Sequence, residues 1–167
     1  YLKKLFPINR SISGEGNLQS LNILKQICSF KIKSFKSGYK CFDWIVPQEW
    51  NVKDAWIKNS AGKKIVDFKK LNIHLVSYST RVNKKITYSE LIKHLHYLKD
   101  KPDVIPYRTT YYKKNWGFCI SYNDFLKLKK NDIYHIFIDS NHDPKGRMVY
   151  GEMIKKGESK KEILISS

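Results

Sequence analysis

The sequence is poor in the residues that usually announce chemistry. Cysteine occurs three times in 167 residues, at Cys28, Cys41 and Cys119, with no C-x-x-C pair and no zinc-ligand spacing. That excludes a disulfide framework and a cysteine-built zinc site, and the three read as small, buried, reduced residues. No run approaches the roughly 18 apolar residues that a membrane span needs, and no charged-then-apolar leader precedes a small-residue cleavage site. The default expectation is the cytoplasm. Serine-nucleophile motifs such as G-x-S-x-G are missing, no cysteine has a histidine at a telling distance, and no carboxylate–histidine set has metal spacing.

Arginine is also scarce. Only Arg10, Arg81, Arg108 and Arg147 stand among 32 basic residues, and the rest are lysines scattered along the whole chain. The formal net charge of +17 suggests a polyanionic partner, yet base readers use the arginine fork and non-specific binders cluster their charge. Dispersed lysine fits solvated faces better. A lysine-rich binding module for nucleic acid or an acidic polysaccharide stands as the alternative function.

What is present can fold. Hydrophobic residues make up 41% and aromatics 14%, enough apolar surface to offset ordering entropy. The length suits one domain, or a small domain plus part of another. The chain begins at Tyr1 rather than Met, so its start is expected to lie upstream.

Leu18, Leu21, Leu24, Ile27 and Cys28 recur at helical spacing behind Ser13-Gly14-Glu15-Gly16, which predicts an amphipathic helix opened by a flexible turn. Phe30 and Ile32 alternate with lysines as a strand. From about Phe42 the texture turns β-like, with runs at Val52 to Ile57, Ile65 to Phe68 and Ile73 to Tyr78. Thr87-Tyr88-Ser89-Glu90 is a capping box opening a helix whose stripe is Leu91, Ile92, Leu95 and Leu98; Ser121 with Asp124 opens a shorter one to about Lys129. Ile133 to Ile138 and Met148 to Ile154 read as strands around a turn-rich loop, Ser140 to Gly146. Glu162 to Ser167 reads as a strand buried on both faces.

Candidate sites are few. Gly14-Glu15-Gly16 could hold an anion on free helix amides, but a helix opening fits it better. His94 and His96 share no face of the predicted helix, since two residues turn it by about 200°, so they cannot chelate together. His74, His135 and His142 read as satisfied or exposed. The aromatic stretches around Trp50 and from Tyr107 to Trp116 either stack on a ligand or build a β core, with Arg108 an unusual polar insertion among tyrosines.

Several blocks carry a resemblance: Leu5 to Gly16, Phe42 to Trp50, Asn72 to Ser79, Ile105 to Tyr112, Trp116 to Cys119 and Tyr150 to Glu152. In that order they resemble a bacterial family of aminopeptidase-like proteins, often labelled polysaccharide-biosynthesis proteins with an aminopeptidase-like domain. The resemblance implies an α+β or α/β zinc-aminopeptidase core, a mostly β inserted domain, and a C-terminal winged helix. On it, residues 1–41 and 121–167 belong to the core and 42–120 to the insert. The family's peptide or peptide-like substrates and its zinc, two ions, are implied for the complete protein. The strand ending at Ser167 matches the one that runs into the family's first zinc ligand, so neither catalytic nor metal residues are expected in this chain. Trp50, Arg108, Tyr111 and Trp116 are expected to shape the substrate's access, or else to hold the insert together.

Overall fold

The computed structural model describes residues 1–159 and 161–166. In chain order the elements are α1 (Leu2–Leu5), α2 (Glu15–Leu24), β1 (Lys31–Lys36), β2 (Lys40–Cys41), β3 (Trp44–Ile45), β4 (Glu49–Lys58) and β5 (Lys64–Asp67). They continue with β6 (Val82–Thr87), α3 (Tyr88–Leu91), β7 (Leu95–His96), β8 (Phe118–Cys119), α4 (Tyr122–Leu126), β9 (Ile133–Asp143) and β10 (Arg147–Glu152). The result is an α+β mixture of short helices and several small sheets. Among the described residues no helix is long and apolar enough to cross a membrane.

The central sheet has strand order β5-β4-β9-β6, all neighbours antiparallel. It unites strands from both sides of residue 120, because β9 pairs with β4 and β6. Along β9, Tyr134, Ile136, Ile138 and Ser140 point inward at every second position, as a pleated strand requires. On β4 the inward residues are Trp50, then Ala55 and Ile57, a switch from even to odd numbers. The register explains it: Val52 faces Ser140 and Asp54 faces Asp139, so Lys53 is an extra residue, a β-bulge. One inserted residue flips which face the rest of a strand presents. With seven positions between them, Trp50 and Ile57 could not both be buried on a strictly alternating strand. Each large apolar side chain placed there stabilises the fold by roughly 1.5–3 kcal/mol.

β1 and β10 form a separate antiparallel pair, with Lys31 opposite Glu152 and Lys36 opposite Arg147. The Lys33 ammonium and the Glu152 carboxylate close it with an ion pair. This brings the segments before and after the central sheet side by side.

Several expectations are corrected. The helix opening at Thr87 is one α turn followed by a 3-10 turn, Ile92–His94, because Leu95 and His96 leave it to pair in parallel with Phe118 and Cys119. Tertiary pairing outcompetes the helical pattern: Leu91 and Leu95 stay buried as the stripe demanded, but Ile92 turns outward, 38% exposed. Half of the capping box forms: the Thr87 hydroxyl accepts from the Glu90 amide at 3.4 Å, but the Glu90 carboxylate takes the Lys84 ammonium at 2.7 Å. Residues 73–78 are not a strand. They begin inside a 3-10 turn, Asn72–His74, and beyond it make only isolated bridges, Leu75 with Phe118 and Ser77 with Thr109.

The expected loop from Ser140 is instead strand as far as Asp143, because Glu49 to Val52 of β4 extends far enough to pair with it. Finally, no strand forms over residues 162–166, and Ile163, Leu164 and Ile165 are about nine-tenths exposed; Ser167 lies outside the described residues. A strand is held by a neighbouring backbone, and this run pairs with none. Of the cysteines, Cys119 is buried as expected, whereas Cys28 and Cys41 are exposed.

Candidate functional site

The densest polar arrangement lies where the N-terminal loop meets the start of β4. Gly14 has φ +115°, and a Cβ there would collide with the Trp50 carbonyl oxygen. Only glycine tolerates both the backbone and the approach. The opening turn is therefore a close-packing device rather than a flexible one. The amide of Glu15, one of those that could have met an anion, donates to Asn51 Oδ1 at 2.8 Å.

Docked this way, the Ser13 side chain is sealed inside. Its Oγ lies 2.5 Å from the Tyr78 hydroxyl and accepts from the Trp50 amide at 3.2 Å. Tyr78 holds a left-handed φ of +67°, a strained conformation for a side-chain-bearing residue. Its ring stacks on Trp50 with centroids 5.6 Å apart and meets the edges of Tyr111 and His142. The neighbouring Ser79 carbonyl accepts from Trp50 Nε1 at 3.0 Å and from Ser140 Oγ at 2.8 Å. His142 Nε2 donates to the Tyr78 carbonyl at 3.2 Å.

Burial sets the protonation of this corner. It pushes the Tyr78 phenol up to about 12, against the partly offsetting bond from Ser13, so Tyr78 stays neutral. Burial also holds His142 below the ordinary histidine value, ahead of the opposing effect of its bond to Tyr78. A neutral phenol and a neutral imidazole, both spent on internal bonds, make a lock rather than an acid–base pair.

The four residues expected to shape a substrate's access fall in different places. Trp50 is 1% exposed and offers a ligand no surface. Tyr111 is half-buried and packs against Tyr78 and Tyr112. Arg108 is exposed; its carbonyl accepts from the Ser77 amide at 2.9 Å. Its charge helps lower the pKa of His96, after burial as the main cause. Trp116 is half-buried, stacked on His94 at 3.6 Å with the Lys84 ammonium 5.3 Å from its ring centroid. Trp50 and Tyr111 thus meet at Tyr78, and Arg108 and Trp116 serve other neighbourhoods.

Sequence reasoning missed Arg10, Ser77 and Tyr107 as site residues. With Ile8, Asn72 and Leu75 they help line a cavity of about 290 Å³ between the N-terminal segment and residues 71–77. Each lies inside a block singled out above, but nothing in local spacing couples positions so far apart.

The described residues offer zinc no ready site. Among the described residues no three histidine, cysteine or carboxylate side chains converge as a metal site. Four histidines already have partners: His74 with the Cys119 carbonyl, His94 with the Trp116 carbonyl, His135 with Asn83, and His142 with the Tyr78 carbonyl. Burial pushes the Cys119 thiol up to about 12, the opposite of what a thiolate ligand or nucleophile needs.

Short helices, several small sheets and a polar lock at their junction define an α+β unit with a counterpart of known structure. It is similar to the crystal structure of a candidate peptidase from Clostridium acetobutylicum, with a TM-score of 0.85 and 45% identity, over 90% of this chain and 35% of that one. The model for the family described as a domain of unknown function, DUF2172, matches residues 49–141, more than half of the chain, and the chain belongs to that family. A curated relative from Clostridium acetobutylicum is 45% identical over 166 residues, 99% of this chain. It is described as a candidate polysaccharide biosynthesis protein with an aminopeptidase-like domain, and this chain covers 38% of its length. The resemblance expected from the sequence blocks agrees with the name that this relative carries.

Proposed function

We propose that this chain is the N-terminal portion of a zinc-dependent aminopeptidase-like hydrolase that removes N-terminal residues from peptides. The observation that carries the reading is the 45% identity along nearly the whole chain to a protein whose name includes an aminopeptidase-like domain. In this reading the zinc ligands belong to polypeptide outside residues 1–167. The chain's own part is structural and selective: it builds the inserted unit and the polar lock that fixes it to the N-terminal segment.

The division into core (1–41), insert (42–120) and core (121–167) enters this proposal with one change. Because β9 completes the central sheet, the downstream edge of the insert is better placed after Asp143. The β1–β10 pair then forms its stem.

The test compares this chain with a longer polypeptide that includes the downstream segment. Aminoacyl p-nitroanilide hydrolysis and bound zinc are measured in both. The expected result is chelator-sensitive hydrolysis with stoichiometric zinc in the longer polypeptide and neither in the chain. Hydrolysis that survives complete zinc removal, or a zinc-loaded longer polypeptide inert towards every aminoacyl substrate, overturns the reading.

A further inference from the structure

The cavity beside the N-terminal segment has a composition that selects a ligand. Leu75 and Ser77, 4% and 5% exposed, lie deep, while Arg10 and the 62% exposed Tyr107 stand at the mouth. Its wall contains no carboxylate. Arg10 takes part in no ion pair among the described residues. One guanidinium nitrogen donates to the Leu5 carbonyl at 2.9 Å, which leaves most of its five N–H donors for a ligand. The Ser77 hydroxyl is buried beneath the floor without a hydrogen-bond partner and closed to solvent, and Arg10 is the charged group that a guest meets.

We propose that this cavity binds a small monocarboxylate bearing a branched apolar side chain, such as the C-terminal residue of a short peptide or a free hydrophobic acid. A single arginine matches a single carboxylate, whose two oxygens accept from its planar fork. Ile8, Ile73 and Leu75 supply the apolar surface for the side chain. The volume of about 290 Å³ lies at the lower limit of ligand pockets, which restricts the enclosed part of the guest to roughly a dozen non-hydrogen atoms and leaves the rest of a peptide outside the mouth. A phosphate ester would bring a second charge with no second cation in the wall to meet it. The proposal rests on the cavity alone and stands or falls separately from the peptidase reading.

The experiment titrates this chain with N-acetyl-leucine, N-acetyl-leucinamide, acetate and Gly-Gly-Leu, followed by amide chemical-shift changes. N-acetyl-leucine is expected to saturate the chain, with the amide and acetate at least about tenfold weaker, because each lacks the charge or the body. Arg10→Gln should lose about tenfold in affinity and Arg10→Lys less, the fork being replaced by a point charge. Should Arg10→Gln fail to fold, Tyr107→Ala, at an exposed position, tests the same mouth. Gly-Gly-Leu binding as well as N-acetyl-leucine identifies peptide C-termini as the class; its failure beside a binding N-acetyl-leucine identifies free acids. Equal affinity for acid and amide, an indifferent Arg10→Gln, or no saturation by N-acetyl-leucine overturns the proposal.

Discussion

The hydroxyls of Ser13 and Tyr78 meet at 2.5 Å across 65 residues of chain, and this one bond ties the N-terminal loop to the strained corner of the central domain. Ser13 Oγ also accepts from the Trp50 amide, so its removal leaves that amide and the Tyr78 hydroxyl without this partner. Ser13→Ala should therefore cost about 1–3 kcal/mol of unfolding free energy. Urea denaturation of Ser13→Ala, Tyr78→Phe and the double variant checks it. The double variant should lose less than the sum, and strict additivity would show that the two hydroxyls act independently.

The three cysteines should separate cleanly by reactivity. Cys28 and Cys41 are exposed, whereas Cys119 is buried with its thiol pushed up to about 12. At pH 8 that leaves about one thiolate in ten thousand. A thiol-reactive dye should label two sites in the native chain and the third only on unfolding, as mass spectrometry of digests will show. Native labelling of Cys119 would contradict its burial.

Stability should fall on mild acidification. Burial holds His96 and His142 below the ordinary histidine value. Above pH ~6.5 both folded and unfolded chains carry these rings neutral. Below it the unfolded chain takes up protons first, so stability drops with pH until the folded rings also titrate. Melting temperatures between pH 7 and 5 should decline, and His142→Gln, which can still donate to the Tyr78 carbonyl, should shallow the slope. A flat profile in the parent chain would show that neither ring is shielded.

Deleting Lys53 tests the bulge. The deletion removes the extra residue, so Val52 and Asp54 pair with Ser140 and Asp139 in plain alternation and Trp50 and Ile57 keep the same inward face. The chain should still unfold cooperatively in urea, and a loss of cooperativity would show that the bulge itself is needed. Lys53→Ala, which keeps the residue count, should remain near the parent in stability.

Much of the framework was legible because it is local. Alternating side chains marked the strands around Ile32, Ile57, Ile136 and Met148, and the hydroxyl caps at Thr87 and Ser121 each accept from the amide three residues on. What was illegible depends on distant partners. Leu95 leaves its helix only because Phe118 offers a strand to pair with, and the switch at Lys53 shows only against β9. The lock shares this character: Ser13, Tyr78, Ser140 and His142 look ordinary in sequence, and the choice left open for Trp50 between ligand and core falls to the core. Arg10, Ser77 and Tyr107 become a site only when the N-terminal loop folds back.

The stem formed by β1 and β10 has an engineering corollary. Lys31 and Glu152 are cross-strand neighbours, so everything between them departs from and returns to nearly the same point in space. Such a segment can be replaced by a short tight turn, or grafted onto another host through the same two strands, without asking the host to open a gap. Its sequence is thus free to diverge with little geometric consequence for whatever carries it.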